Sequence, residues 1–159
     1  MTLQSGGTAS DLIAQKAGNH AMLPGGESME KGTRIRVARS TNNTIELLRF
    51  YRDGLGLEVL SSFVDHQGFD GVMLGLPGEP WHLEFTTQHG HMAGRAPTLE
   101  NLLVFYIPQV LQWEAAIARM KSCGFEPVES ANPYWDLQGK TFEDIDGYRV
   151  VLQNATWNR

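Results

Sequence analysis

His82 and Glu84 stand two residues apart in a strand-like segment, Trp81 to Thr87, so an imidazole and a carboxylate project from one face. Such a pair can serve as general base and acid, or donate two ligands to a divalent metal. The plain alternative for His82 is a polar residue near a sheet edge, and for Glu84 a salt-bridged structural carboxylate. The same alternation groups Thr86 with them, Arg36 with Arg34 and Ala38, Asn101 with Leu103 and Phe105, and Arg149 with Val151 and Gln153. Tyr134-Trp135 lies in a long loop, where aromatic rings either stack on a ligand or pack locally. The remaining candidates are weaker. His89 and His91 match no strong metal motif and read as solvated loop residues, and His66 falls on a turn. Cys123 has only Lys121 as a basic neighbour, which argues against a catalytic thiolate.

Elements must hold these residues in place, and they come in a faint repeat. A helical stretch ends near Gly56 and the pattern returns at Gly124, 68 residues later. Strand Arg34 to Arg39 precedes a helix with Ile45, Leu47, Leu48, Tyr51 and Leu55 at helical spacing, for which Asn42, Asn43 and Thr44 offer caps. Strands Glu58 to Val64, Phe69 to Leu76 and Trp81 to Thr87 follow, joined by turn residues. The second copy has strand Asn101 to Ile107, a helix from Val110 to Ser122 carrying Trp113 as core or interface, then strands Phe125 to Ser130, Gly139 to Glu143 and Tyr148 to Gln153. The order is βαβββ twice. In the last strand the position of Glu84 is taken by Val151 or Leu152, so a carboxylate in one copy answers an aliphatic residue in the other.

The 159 residues suffice for one core. A Gly- and Ser-rich segment, 1–33, reads as a flexible arm that is either functionless or packs on a partner subunit, and 155–159 as a tail. A net charge of −5 with interspersed signs offers no footprint for nucleic acid. One cysteine permits no internal disulfide, and no apolar run reaches the ~20 residues of a membrane span, so the cytoplasm is the expected location.

Phe50-Tyr51-Arg52-Asp53-Gly54-Leu55-Gly56-Leu57, His82-Leu83-Glu84-Phe85 and Phe142-Glu143-Asp144-Ile145-Asp146-Gly147-Tyr148-Arg149-Val150-Val151-Leu152 resemble the vicinal oxygen chelate superfamily, which includes glyoxalase I, extradiol dioxygenases and bleomycin-binding proteins. The resemblance covers about Arg34 to Asn154 and implies an α+β fold. Its two βαβββ modules, 34–88 and 101–154 with linker 89–100, would form a half-open sheet around a shared cavity, with helices on the outer face. The metal enzymes of that superfamily place two ligands in each module. Carried over, those positions fall on Arg36, Glu84, Asn101 and Val151, and only Glu84 is a clear donor, because an arginine cannot ligate a cation. The resemblance therefore implies an Arg36–Glu84 ion pair where relatives hold a metal, and a protein that binds a small organic molecule without cofactor. Asn101, Phe105, Trp135, Arg149, Val151 and Gln153 would contact that molecule together with Arg36, His82 and Glu84. Two readings stand beside it: a lyase or dioxygenase holding a divalent metal through Glu84 and non-family donors such as His82, and a scaffold whose cavity is filled by its own side chains. The expected partners are a small molecule and a second copy of the chain.

Overall fold

A computed structural model describes residues 29–157, so most of the arm expected over 1–33 lies outside the described residues. The first module runs β1 (Ile35–Ser40), α1 (Thr44–Leu48), a π-helical turn (Arg49–Gly54), β2 (Glu58–His66), β3 (Phe69–Gly75) and β4 (Trp81–Gln88). The second runs β5 (Leu102–Tyr106), α2 (Val110–Ser122), a 3-10 turn (Pro133–Asp136), β6 (Gly139–Glu143) and β7 (Arg149–Gln153).

Both modules thread alike. The four-stranded sheet has the order β1-β4-β3-β2 and the three-stranded sheet β5-β7-β6, with the first and last strands of each module parallel and the others antiparallel. The expected half-open sheet is thus divided into two open sheets. Edge strands β1 and β5 each keep one unpaired side, and side chains of Val37, Arg39, Leu103 and Tyr148 line the seam between them.

The expected strand Phe125–Ser130 does not form; only Val128 bridges to Thr141. Pro127 has no N–H to give a ladder, the Glu129 carbonyl accepts from Arg149 Nη1, and Ser130 bonds Asp136, so side chains take the bonds a strand would need. The expected caps of the first helix are also diverted. Asn43 occupies the cap position without capping, and its amide reaches Asp146 instead, while Asn42 exchanges two hydrogen bonds with the backbone of Ala93.

One apolar core lies on the helix side of both sheets. Leu47, Phe50 and Tyr51 from the first helical segment meet Leu83 and Phe85 of β4, and Ala116 and Met120 of α2 meet Val150 and Leu152 of β7. The two helical segments touch at Gly54, where a Cβ would stand 2.7 Å from the Met120 sulfur. Gly56 (φ 83°) and Gly124 (φ 89°) both adopt the left-handed conformation that ends the helix, which accounts for the repeated glycine.

Candidate functional site

Since Leu83 and Phe85 enter the core, strand alternation turns His82 and Glu84 to the opposite face, away from the helices. Parallel pairing with β1 sets Arg36 beside His82 and Ala38 beside Glu84. Arg36 Nη1 lies 2.6 Å from Glu84 Oε2, and Arg36 Nε donates to His82 Nε2 at 2.8 Å. One guanidinium therefore engages both the carboxylate and the imidazole. The Glu84 side chain is 11% exposed and that of Arg36 51%, so the carboxylate is sunk beneath a cation that remains half in water.

The matching face of the second sheet differs in register and in cover. Leu102 pairs with Arg149, Val104 with Val151 and Tyr106 with Gln153, so Leu102, Val104 and Tyr106 share the face of Val151. Phe105 and Leu103 belong to the helix side, where they pack on the core. The expectation that Asn101 and Phe105 share the face of Glu84 is corrected by this one-residue slip, which reverses every side chain. Since Ala38 sits beside Glu84 and Val104 beside Val151, the counterpart of Arg36 is Leu102; Asn101 is an exposed residue before the strand.

Arg149, Val151, Gln153 and Trp135 do come together, but in a closed patch. Val151 is fully buried, Arg149 bonds Glu143 and the Glu129 carbonyl, and Gly139 is wedged against Gln153, Val151 and the carbonyl of Trp135. The loop through the 3-10 turn thus seals this half of the face. Tyr134 remains exposed, with its ring against Trp135.

These residues do not fit a divalent metal. Among the described residues no three of His, Cys, Asp and Glu converge on a metal position, and Glu84 and His82 already accept bonds from Arg36. His89 is exposed, as a solvated residue should be, with its Nε2 3.2 Å from Asp70. The Asp70 carboxyl is held below its usual range, first by the Asp65 N–H and then by His89.

The open space lies elsewhere, at one end of the β1–β5 seam. A cleft of about 580 Å³ has Leu57, Leu83, Ala116 and Leu152 as a buried floor. Trp81 and Phe105, with ring centroids 5.6 Å apart, belong to its walls, and Val37, Leu76, Glu79 and Arg119 to its exposed mouth. His82 lines it; Glu84 does not.

Sequence reading missed the cluster that ties the modules together. Asp144 accepts from the Tyr51 hydroxyl (2.8 Å), Arg39 Nη2 (3.0 Å) and the N–H groups of Asp146 and Tyr148 (2.9 and 3.0 Å), with its own side chain fully buried. Arg39 also stacks on Tyr148, 3.9 Å from the ring centre. Burial, and next the adjacent Asp144 carboxylate, push the Tyr51 phenol well above its ordinary value of 10.0. The Asp144-to-Tyr148 turn was visible in the sequence as a motif, but its partners are 93 and 105 residues away. Trp113 resolves as a core residue, its indole N–H bonding the Leu152 carbonyl.

Comparison with known proteins agrees with this architecture. The YycE-like N-terminal domain matches residues 35–86 and the YycE-like C-terminal domain residues 100–154. The uncharacterized protein YycE of Bacillus subtilis is 43% identical over 125 residues, covering 79% of this chain and 90% of that protein. The crystal structure of a YycE protein of unknown function from Bacillus subtilis, a candidate glyoxalase/fosfomycin resistance protein, superposes with a TM-score of 0.76 at 42% identity over 83% of this chain and 96% of the other. Trypanothione-dependent glyoxalase I of Leishmania major shares the fold, with a TM-score of 0.59 at 18% identity over 76% and 84% of the two chains. Among the described residues no helix is long and apolar enough to cross a membrane. With two matched domains in the order and at the positions of the two modules, the chain belongs to the YycE-like family, a glyoxalase/fosfomycin-resistance-like branch of the vicinal oxygen chelate superfamily.

Proposed function

We propose that this protein binds a small organic molecule in the cleft at the β1–β5 seam and does so without a metal. The observation that carries the reading is the position of Arg36, which bonds Glu84 and His82 at once and sets a fixed positive charge where a cation would have to sit. A cleft of about 580 Å³ is within the range of small-molecule sites, and its lining is mostly apolar with a few polar groups, as such sites are. Native mass spectrometry with elemental analysis, on protein purified without chelators, tests the proposal. The expected result is no stoichiometric Zn, Ni, Mn or Fe. About one equivalent of metal per chain, lost in Glu84→Gln, would overturn it.

A further inference from the structure

From the chemistry of the cleft lining, we infer that the ligand is a small aromatic acid: a flat apolar ring body with one carboxylate or equivalent acceptor head. The inference rests on the cleft being the binding site and goes on to name what it selects.

The apolar body follows from the depth. Leu57 and Leu83 are 5% and 3% exposed at the floor, Leu152 is 1%, and no charged group lies among them. Trp81 and Phe105 meet edge to face, which leaves ring surface in the walls for a third aromatic.

The acceptor head follows from a surplus of unused donors. Arg119 is held by two hydrogen bonds, Nε to the Gly54 carbonyl at 2.8 Å and Nη2 to the Leu55 carbonyl at 2.6 Å, so its guanidinium stands fixed at the mouth. Among the described residues nothing bonds its Nη1 or the indole N–H of Trp81. Against these stands one carboxylate, Glu79, on the exposed turn before β4. A pre-positioned arginine with a neighbouring indole N–H recognises an oxygen anion better than an ammonium or a bare hydrocarbon.

The test uses three bicyclic probes of one shape: 2-naphthoate, 2-naphthamide and 2-naphthylmethylammonium. They are titrated by calorimetry, and by following the tryptophan indole signals of ¹⁵N-labelled protein. Trp81 is assigned through Trp81→Phe, and Trp135, packed on the second sheet, serves as internal control. The expected result is saturable 1:1 binding of 2-naphthoate that moves the Trp81 signal and leaves Trp135 in place, with the ammonium probe about 10-fold weaker or more. Val37→Trp, which fills the mouth from an exposed position on edge strand β1, should weaken 2-naphthoate by about 10-fold or more while the fold stays intact by circular dichroism. Equal affinity for all three probes, or absence of binding by 2-naphthoate, overturns the aromatic-acid assignment. Binding that moves only Trp135, or that ignores Val37→Trp, overturns the cleft as the site. Repeating the titration with a chelator separates this inference from the metal-free reading, because affinity lost to chelation counts against that reading and a failed charge series that is indifferent to chelator counts against the ligand class alone.

Discussion

At the scale of single residues, the position of Arg36 decides which partner of the ion pair is vulnerable. The guanidinium is half in water and the carboxylate is not. Removing Glu84 therefore frees a cation that water can solvate, whereas removing Arg36 strands a nearly buried anion. Arg36→Ala should cost about 1–3 kcal/mol and Glu84→Ala under about 1, with a double variant milder than the sum, all read by urea unfolding. Equal costs and no coupling would show that the pair does not form. Asp144 is a stronger case, since its side chain is fully buried and holds Arg39 from the other module. Asp144→Ala leaves that guanidinium without its carboxylate and should cost about 3–5 kcal/mol. The same cluster sets an alkaline limit. The folded state binds the Tyr51 proton more tightly than the unfolded chain does, so the stabilisation is complete below the ordinary phenol value and is lost as pH rises beyond it. Tyr51→Phe should cost about 1 kcal/mol at neutral pH and flatten the loss of stability between neutral pH and about pH 11. An unchanged alkaline limb in that variant would place the titrating group elsewhere.

At the scale of elements, periodicity was a good guide and backbone bookkeeping was not available. Alternation in β4 placed His82 and Glu84 on the face away from the helices, and the two helix-ending glycines located the repeat. The same rule misplaced Phe105, because β5 is apolar at nearly every position from Leu102 to Val104 and onward, so no polar residue marks which face is which. The lost strand after Gly124 had a sign in Pro127, but the side chains that take over its bonds, Arg149 and Asp136, could not be assigned without coordinates. The loop they hold has a contact that can be tested. A Cβ on Gly139 would stand 2.5 Å from the Trp135 carbonyl, which belongs to the backbone and cannot rotate away. Gly139→Ala should cost about 1–3 kcal/mol and loosen the loop over Val151, visible as faster amide exchange in β7. Gly94→Ala meets nothing within 4 Å and should stay within about 0.5 kcal/mol of the parent, which makes it the control.

At the scale of the whole molecule, two modules of one topology have been put to different uses. The first keeps its carboxylate and has it covered by an arginine, and the second replaces the matching position with Val151 and seals it beneath its own loop. What stays open is the seam, where β1 and β5 fail to pair and a mostly apolar cleft runs down to the helices. This division was not legible in the sequence, because the seam is formed by edges of strands that are distant in the chain and carry no motif of their own. Calorimetric titration with Zn²⁺ and Mn²⁺ bears most directly on the claim that Arg36 closes the metal position. The expected result is no saturable site tighter than about 0.1 mM, since one carboxylate and one imidazole already bonded to a guanidinium make too few free donors. A single saturable site per chain that disappears in Glu84→Gln would contradict it.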